Sequence, residues 1–231
     1  MRIGAVELGV RPCIIAAGGE AEVEALTAAE GADVVELRAD LFDDPTLERV
    51  GAALGRLRAG GRPILLTARA ASEGGRAMPE RHRRAIYEAG LDLVDAIDVE
   101  IASTELAAAL VPAARRAGRT IVLSTHDFAA TPARTTLLAS VERAFEAGAD
   151  CAKVATHAPS LADLQVLIDV TRGVAPRPIA TLAMGPMGPL SRFVLAAAGS
   201  LLTYASVGAP TAPGQTPLAE LSALVRRLFP R

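Results

Sequence analysis

A single lysine, Lys153, stands in a chain that otherwise carries its positive charge on arginine, one among 24 cationic side chains. A guanidinium stays protonated and is no nucleophile, whereas an amine can shed its proton and attack a carbonyl carbon. The setting, Cys151-Ala-Lys153-Val-Ala155, is apolar and strand-like. Burial there would disfavour the ammonium and lower its pKa, as would nearby arginines. The competing account is a leftover cation, snorkelling from a strand end or paired with a carboxylate. A leftover lysine belongs more naturally on an exposed helix, so the chemical reading is preferred.

Other reactive types recur at the ends of apolar runs. His126 closes one in Ser124-Thr-His126-Asp-Phe128, where an imidazole can relay protons near neutral pH or serve as a structural histidine held by Asp127. Glu73, beside Gly74-Gly75, could orient that imidazole and raise its basicity, or be an exposed loop carboxylate. Arg38, Arg69 and Arg192 offer planar forks for carboxylate or hydroxyl oxygens, or form a structural ion-pair ring with Glu36 and Glu73. Glu100 and Met184 also end apolar runs, and His157 follows the lysine run. His82 lies in Arg81-His-Arg-Arg84, a basic cluster for which a solvated helix face suffices. Thr211-Ala-Pro-Gly-Gln215 reads as a mobile loop able to fold over a ligand, or as a plain surface turn.

Positioning these residues requires a repeating scaffold. Short β-prone runs occur at Cys13–Ala16, Val34–Leu37, Ile64–Thr67, Leu93–Val99, Thr120–Ser124, Cys151–Ala155, Ile179–Leu182 and Leu201–Ala205. Stretches with helical spacing lie between them, such as Leu47, Val50, Leu54, Leu57 and Leu161, Leu164, Leu167, Ile168. Pro45-Thr46, Pro79-Glu80, Ser103-Thr104, Pro132 and Ser160 read as helix starts; Gly31, Gly90, Gly118 and Gly148 sit where helices should end. Strand–helix alternation without a linker predicts one α/β domain over 1–231, a (β/α)8 TIM barrel, with Ile3–Val10 as a short strand or hairpin covering its bottom. The alternative is an open doubly wound sheet. It usually carries a Gly-rich phosphate turn after its first strand, which Ala16-Ala-Gly-Gly-Glu20 matches poorly. In a barrel Glu36, Arg38, Arg69, Glu73, Glu100, His126, Asp127, Lys153, Met184, Arg192 and the loop Thr211–Gln215 would converge on the mouth at the strand C-termini.

Bulk properties bound the reading. Hydrophobic residues make up 51% of 231, aromatics 3% with no Trp, so the core must be aliphatic. A formal net charge of -2 provides no pull towards nucleic acid or an anionic membrane. Cys13 and Cys151 read as buried thiols, with no spacing that suits a metal. No signal peptide or membrane-spanning run is evident, and a cytoplasmic location is expected.

The ordered motifs Glu36-Leu-Arg38-Ala-Asp40, Thr67-Ala-Arg69 with Glu73-Gly-Gly75, Asp98-Val-Glu100, Ser124-Thr-His126-Asp-Phe128, Lys153-Val-Ala155, Met184 to Ser191-Arg192 and Ala212-Pro-Gly-Gln215 make the chain similar to the type I 3-dehydroquinate dehydratases. The resemblance implies a lyase of the shikimate pathway acting on a small molecule, a homodimer, with no cofactor and no metal. It implies Lys153 as the imine-forming residue, His126 as general acid/base and Glu73 as its partner. It implies substrate contacts from Glu36, Arg38, Arg69, Met184, Arg192, Thr211 and Gln215. Thr211 stands where the family usually has serine, and Ala16 where serine is common. A Schiff-base aldolase on the same barrel and a catalytically dead barrel acting as a scaffold are the competing functions. The first typically needs phosphate-binding turns near strands seven and eight, and the second has no use for both Lys153 and His126.

Overall fold

The computed structural model describes residues 1–230. The chain starts with an antiparallel hairpin of β1 (Arg2–Ile3) and β2 (Val6–Glu7). The eight apolar runs then become parallel strands: β3 (Cys13–Gly18), β4 (Val34–Arg38), β5 (Ile64–Thr67), β6 (Ala96–Glu100), β7 (Thr120–Asp127), β8 (Cys151–His157), β9 (Ile179–Met184) and β10 (Leu202–Ser206). A short β11 (Thr216–Pro217) adds to β10. The observed strands β3, β4 and β6 to β10 run past their expected ends, with β6 starting at Ala96 and not Leu93 and β10 at Leu202 and not Leu201, and the extra residues include Arg38, Glu100, His126 and Met184. Polar side chains such as Arg38 and His126 weaken the apolar signal while the ladder continues through the backbone.

Hydrogen-bonded pairing runs from β10 through β3 and on to β9. The curl closes into a TIM barrel at the β9–β10 seam by a thinner set of bonds. Leu201 N–H donates to Ile179 O (2.9 Å), and Ser200 Oγ accepts from Thr181 N–H (2.9 Å). Helices alternate with the strands: α1 (Val23–Thr27), α2 (Leu47–Ala59), α3 (Glu80–Gly90), α4 (Thr104–Arg116), α5 (Arg134–Glu146), α6 (Leu161–Val174), α7 (Gly188–Ala198) and α8 (Leu218–Leu228). Their apolar stripes bury Val50, Leu54 and Leu57 in α2 and Leu164 and Leu167 in α6. Leu47 and Leu161, the first residues of these helices, stay exposed.

Start signals hold where a side chain can reach the free amides. Thr46 Oγ1 accepts from Arg49 N–H, and Ser160 with Asp163 makes a reciprocal capping box. Ser103 makes no cap bond; its hydroxyl instead meets Arg83 Nη1 at 3.1 Å. The turn at Pro132 precedes α5 by two residues. Gly31, Gly118 and Gly148 adopt positive φ after helices, whereas Gly90 is the last residue of α3 and serves packing. A Cβ there would lie 2.7 Å from Leu66 Cδ2.

Two apolar layers result. The larger lies between helices and sheet, and the smaller fills the barrel interior with Cys13, Ile15, Val34, Leu65, Ala96, Val122 and Cys151. Ile3 of the hairpin, fully buried, packs into that inner layer, while Thr120 Oγ1 donates to Arg2 O. The hairpin thus caps the N-terminal ends of the strands as expected. Both cysteines are buried thiols, with burial the main cause of raised pKa values.

Candidate active site

Parallel register sets neighbouring side chains at the same height. Lys153 on β8 is level with Ser124 on β7, and His126 is level with Ala155 two steps nearer the mouth. Asp98 on β6 is level with Thr67 and Val122. One cavity at the strand C-termini is lined by Glu36, Arg38, Arg69, Glu73, His126, Lys153, Met184, Arg192, Thr211 and Gln215. Every residue to which the resemblance gives a catalytic or substrate-binding role is brought together there, whereas Glu100 and Asp127 are not part of the wall. Gly74, Phe128, Ala155, Leu182, Tyr204 and Ala212 complete the wall.

Lys153 is buried, 5% exposed, yet its surroundings are not simply apolar as the sequence suggested. Its Nζ donates to Asp98 Oδ2 at 2.7 Å and lies 4.3 Å from the centroid of the Tyr204 ring. Asp98 is wholly buried and also accepts two bonds from Arg69 and one from Ser124 Oγ (2.6 Å). Burial alone would push this carboxyl up; Arg69 and Lys153 outweigh it and hold Asp98 well below the usual range.

His126 does not use Asp127, whose carboxylate accepts from Ala129 and Ala130 N–H in a local turn. Its partner is Glu73. Glu73 Oε2 accepts from the His126 backbone N–H (2.8 Å) and lies 2.9 Å from Nδ1. Burial, followed by the charges of Arg69 and Lys153, holds the imidazole well below its ordinary pKa. A neutral ring bonded to a carboxylate carries its proton on Nδ1, which leaves Nε2 as a base. Glu73 is itself pushed up to about 7, chiefly by burial and then by Glu100. It is a buried loop-end carboxyl, not an exposed one.

The arginines divide. Arg69 gives Nη1 and Nη2 to Asp98, Glu100 and Ser124, and Arg38 gives Nε and Nη2 to Asp40. Their forks therefore engage carboxylates, as in the ion-pair alternative, but the partners are Asp40, Asp98 and Glu100 and not Glu36 or Glu73. Arg192 differs: its Nε and Nη1 are buried without a partner, and burial lowers its pKa to about 10. Glu36 accepts from Thr67 Oγ1 (2.7 Å). Thr211 and Gln215 bond each other, Gln215 Nε2 to Thr211 Oγ1 at 2.9 Å. Among the described residues no three His, Cys, Asp or Glu side chains are grouped to hold a metal.

Arg83 also departs from expectation. The Arg81–Arg84 cluster is not merely a solvated face, because Arg83 is buried and bonds Ala68 O and Glu100. Glu100 in turn holds Arg69. His82 is half-buried, with Nε2 2.8 Å from Pro45 O. His157 packs on Gly185 rather than lining the cavity. Sequence reasoning gave no role to Asp98, Tyr204 or Arg83. Asp98, a charge in the middle of an apolar strand, was the legible signal; Tyr204 and Arg83 offered none.

The fold and cavity define an α/β-barrel enzyme whose reactive side chains sit at the C-terminal ends of its strands. The family model described as type I 3-dehydroquinase matches residues 14–229. A 3-dehydroquinate dehydratase of Methanococcoides burtonii is 36% identical over 226 residues, covering 96% of each chain. The crystal structure of a type I 3-dehydroquinate dehydratase from Clostridium difficile superposes with TM-score 0.90 at 28% identity, covering 99% of this chain and 97% of that one. That of the Geobacillus kaustophilus 3-dehydroquinate dehydratase gives 0.87 at 31% identity, covering 100% and 97%. The chain belongs to the type I 3-dehydroquinase family.

Proposed function

We propose that the enzyme removes water from 3-dehydroquinate through an imine on Lys153, with His126 as the acid and base. The observation that carries this reading is one cavity lined by the chain's lone lysine, a neutral imidazole held by Glu73, and an arginine with unpaired donors. Nζ must lose its extra proton before it can attack, and the unprotonated imidazole lining the same cavity can take it, its basicity recovering as the positive charge on Nζ that depresses it is removed. Nζ then adds to the C3 ketone, and loss of that oxygen as water leaves an iminium. The iminium draws electrons from the adjacent C–H bond, so the C2 proton becomes acidic enough for imidazole Nε2. Its removal gives an enamine. The enamine electrons expel the C1 hydroxyl, which takes the proton back from His126 and leaves as water. Hydrolysis of the imine releases 3-dehydroshikimate and restores the amine.

Glu73 keeps the imidazole oriented through both proton transfers. Arg192, with Thr211 and Gln215, would hold the substrate carboxylate; Glu36, Arg38 and Arg69 would face its hydroxyls, with Met184 against the ring. For Arg69 and Arg38 this contact is limited to atoms not already spent on Asp98, Glu100 and Asp40. The same resemblance extends the proposal to a homodimer, which a sedimentation mass of one chain would remove.

Borohydride added during turnover should fix the substrate's mass on Lys153, read by peptide mass spectrometry. Lys153→Ala should show no turnover while keeping the circular dichroism of the folded barrel. A turning-over Lys153→Ala protein, or label on another residue, would overturn the assignment.

A further inference from the structure

Tyr204 projects from β10 into the cavity. Its ring centroid lies 4.3 Å from Lys153 Nζ, and its hydroxyl is buried without a hydrogen-bond partner. A buried phenol normally finds a partner, so an orphaned one beside a reactive amine calls for a reason. Burial, together with the charges of Glu36 and Asp98, pushes its pKa well above the ordinary value, so the hydroxyl stays a donor. The ring face, being electron-rich, favours positive charge at Nζ.

The carbon that Nζ attacks must come within bonding distance of Nζ, and its oxygen therefore enters the neighbourhood of this ring. We propose that Tyr204 is a further catalytic residue, whose hydroxyl donates a hydrogen bond to the oxygen of the carbonyl that Lys153 attacks while its ring faces the nitrogen. This rests on the imine reading above. The bond changes balance without ionising the tyrosine. Nζ forms the C–N bond as the carbonyl π pair moves onto oxygen; oxygen gains a proton and nitrogen loses one, with His126 as carrier. The C–O bond then breaks, oxygen leaves as water with a second proton, the one His126 took from the lysine ammonium, and the nitrogen lone pair closes the C=N bond. Tyr204 holds that oxygen from carbonyl to carbinolamine, stabilising the charge that builds on it.

Tyr204→Phe keeps the ring and deletes the donor. With saturating 3-dehydroquinate, rapid quenching into borohydride should show the Lys153 adduct forming about tenfold more slowly than in wild type. The melting temperature should be unchanged or higher, because the hydroxyl has no protein partner to lose. Tyr204→Leu, which removes the ring as well, should slow adduct formation further. Adduct formation in Tyr204→Phe within twofold of wild type would overturn the assignment, as would a melting temperature lowered by several degrees, which would mean a structural partner. If wild type itself traps nothing on Lys153, the imine reading fails and takes this one with it. A wild type that traps normally beside an unaffected Tyr204→Phe sinks only the tyrosine.

Discussion

At the scale of single residues, the Glu73–His126 pair sets the pH at which the site works. Glu73 is raised to about 7 from an ordinary 4.5, while the imidazole is held neutral. Only the carboxylate form keeps Nδ1–H fixed and Nε2 free, so kcat/KM should rise with pH through an apparent value near 7 that belongs to the pair. Glu73→Gln should abolish that limb and lower kcat about 10- to 100-fold, as a pH–rate series would read. Stability moves the other way. Between pH 4.5 and about 7 the folded chain binds more protons at Glu73 than the unfolded chain, so stability falls as pH rises across that window. Glu73→Gln should therefore raise the unfolding free energy by about 1–2 kcal/mol at pH 8 and change it little at pH 4, measured by urea denaturation. The pair was only half legible. Histidine and glutamate were both candidates, but which carboxylate served the imidazole depended on a contact 53 residues apart in sequence, against a neighbour one residue away.

At the scale of elements, the loop before β11 owes its place to two glycines whose backbones meet. Gly214 has φ +79, and a Cβ on it would lie 2.6 Å from Gly185 O; Gly185 N–H in turn bonds Pro213 O. That docking brings Thr211, Ala212 and Gln215 to the cavity wall. Gly214→Ala combines a disfavoured left-handed conformation with a backbone clash, and should undock the loop. The expected result is a KM raised about tenfold or more with the barrel still folded, read by steady-state kinetics and circular dichroism. The Gly-rich composition of this loop pointed to mobility, since a turn sequence reports its own freedom and not the surface it rests on.

At the scale of the whole molecule, the barrel's weak line is the β9–β10 seam. The ladder there is replaced by Leu201 N–H to Ile179 O and by the Ser200 hydroxyl, which accepts from Thr181 N–H. Ser200→Ala would leave that buried amide without a partner, a loss of about 1–3 kcal/mol. Urea denaturation should read the drop, and hydrogen exchange at Thr181 should quicken relative to amides in the β7–β8 ladder. Wild-type protection at Thr181 in the variant would show that the seam is held elsewhere. The site sits above this seam: Lys153 and Tyr204 come from β8 and β10, on either side of β9.

Alternation of apolar runs with helical spacing was enough to place eight strands and the hairpin before them, because burial pattern is a local property of the chain; an open doubly wound sheet was excluded only by the closure between β9 and β10. The lone lysine and the strand-end histidine were likewise legible, because their residue types alone limit what they can do. Pairing was not. That Asp98 takes the lysine, that Arg38 and Arg69 spend their forks on carboxylates while Arg192 stays free, and that Arg83 is buried were decided only by the closed barrel. The physical reason is range. Hydrophobic periodicity is written into neighbouring residues, whereas a buried charge is satisfied by whichever partner the curvature of the sheet brings within about 3 Å.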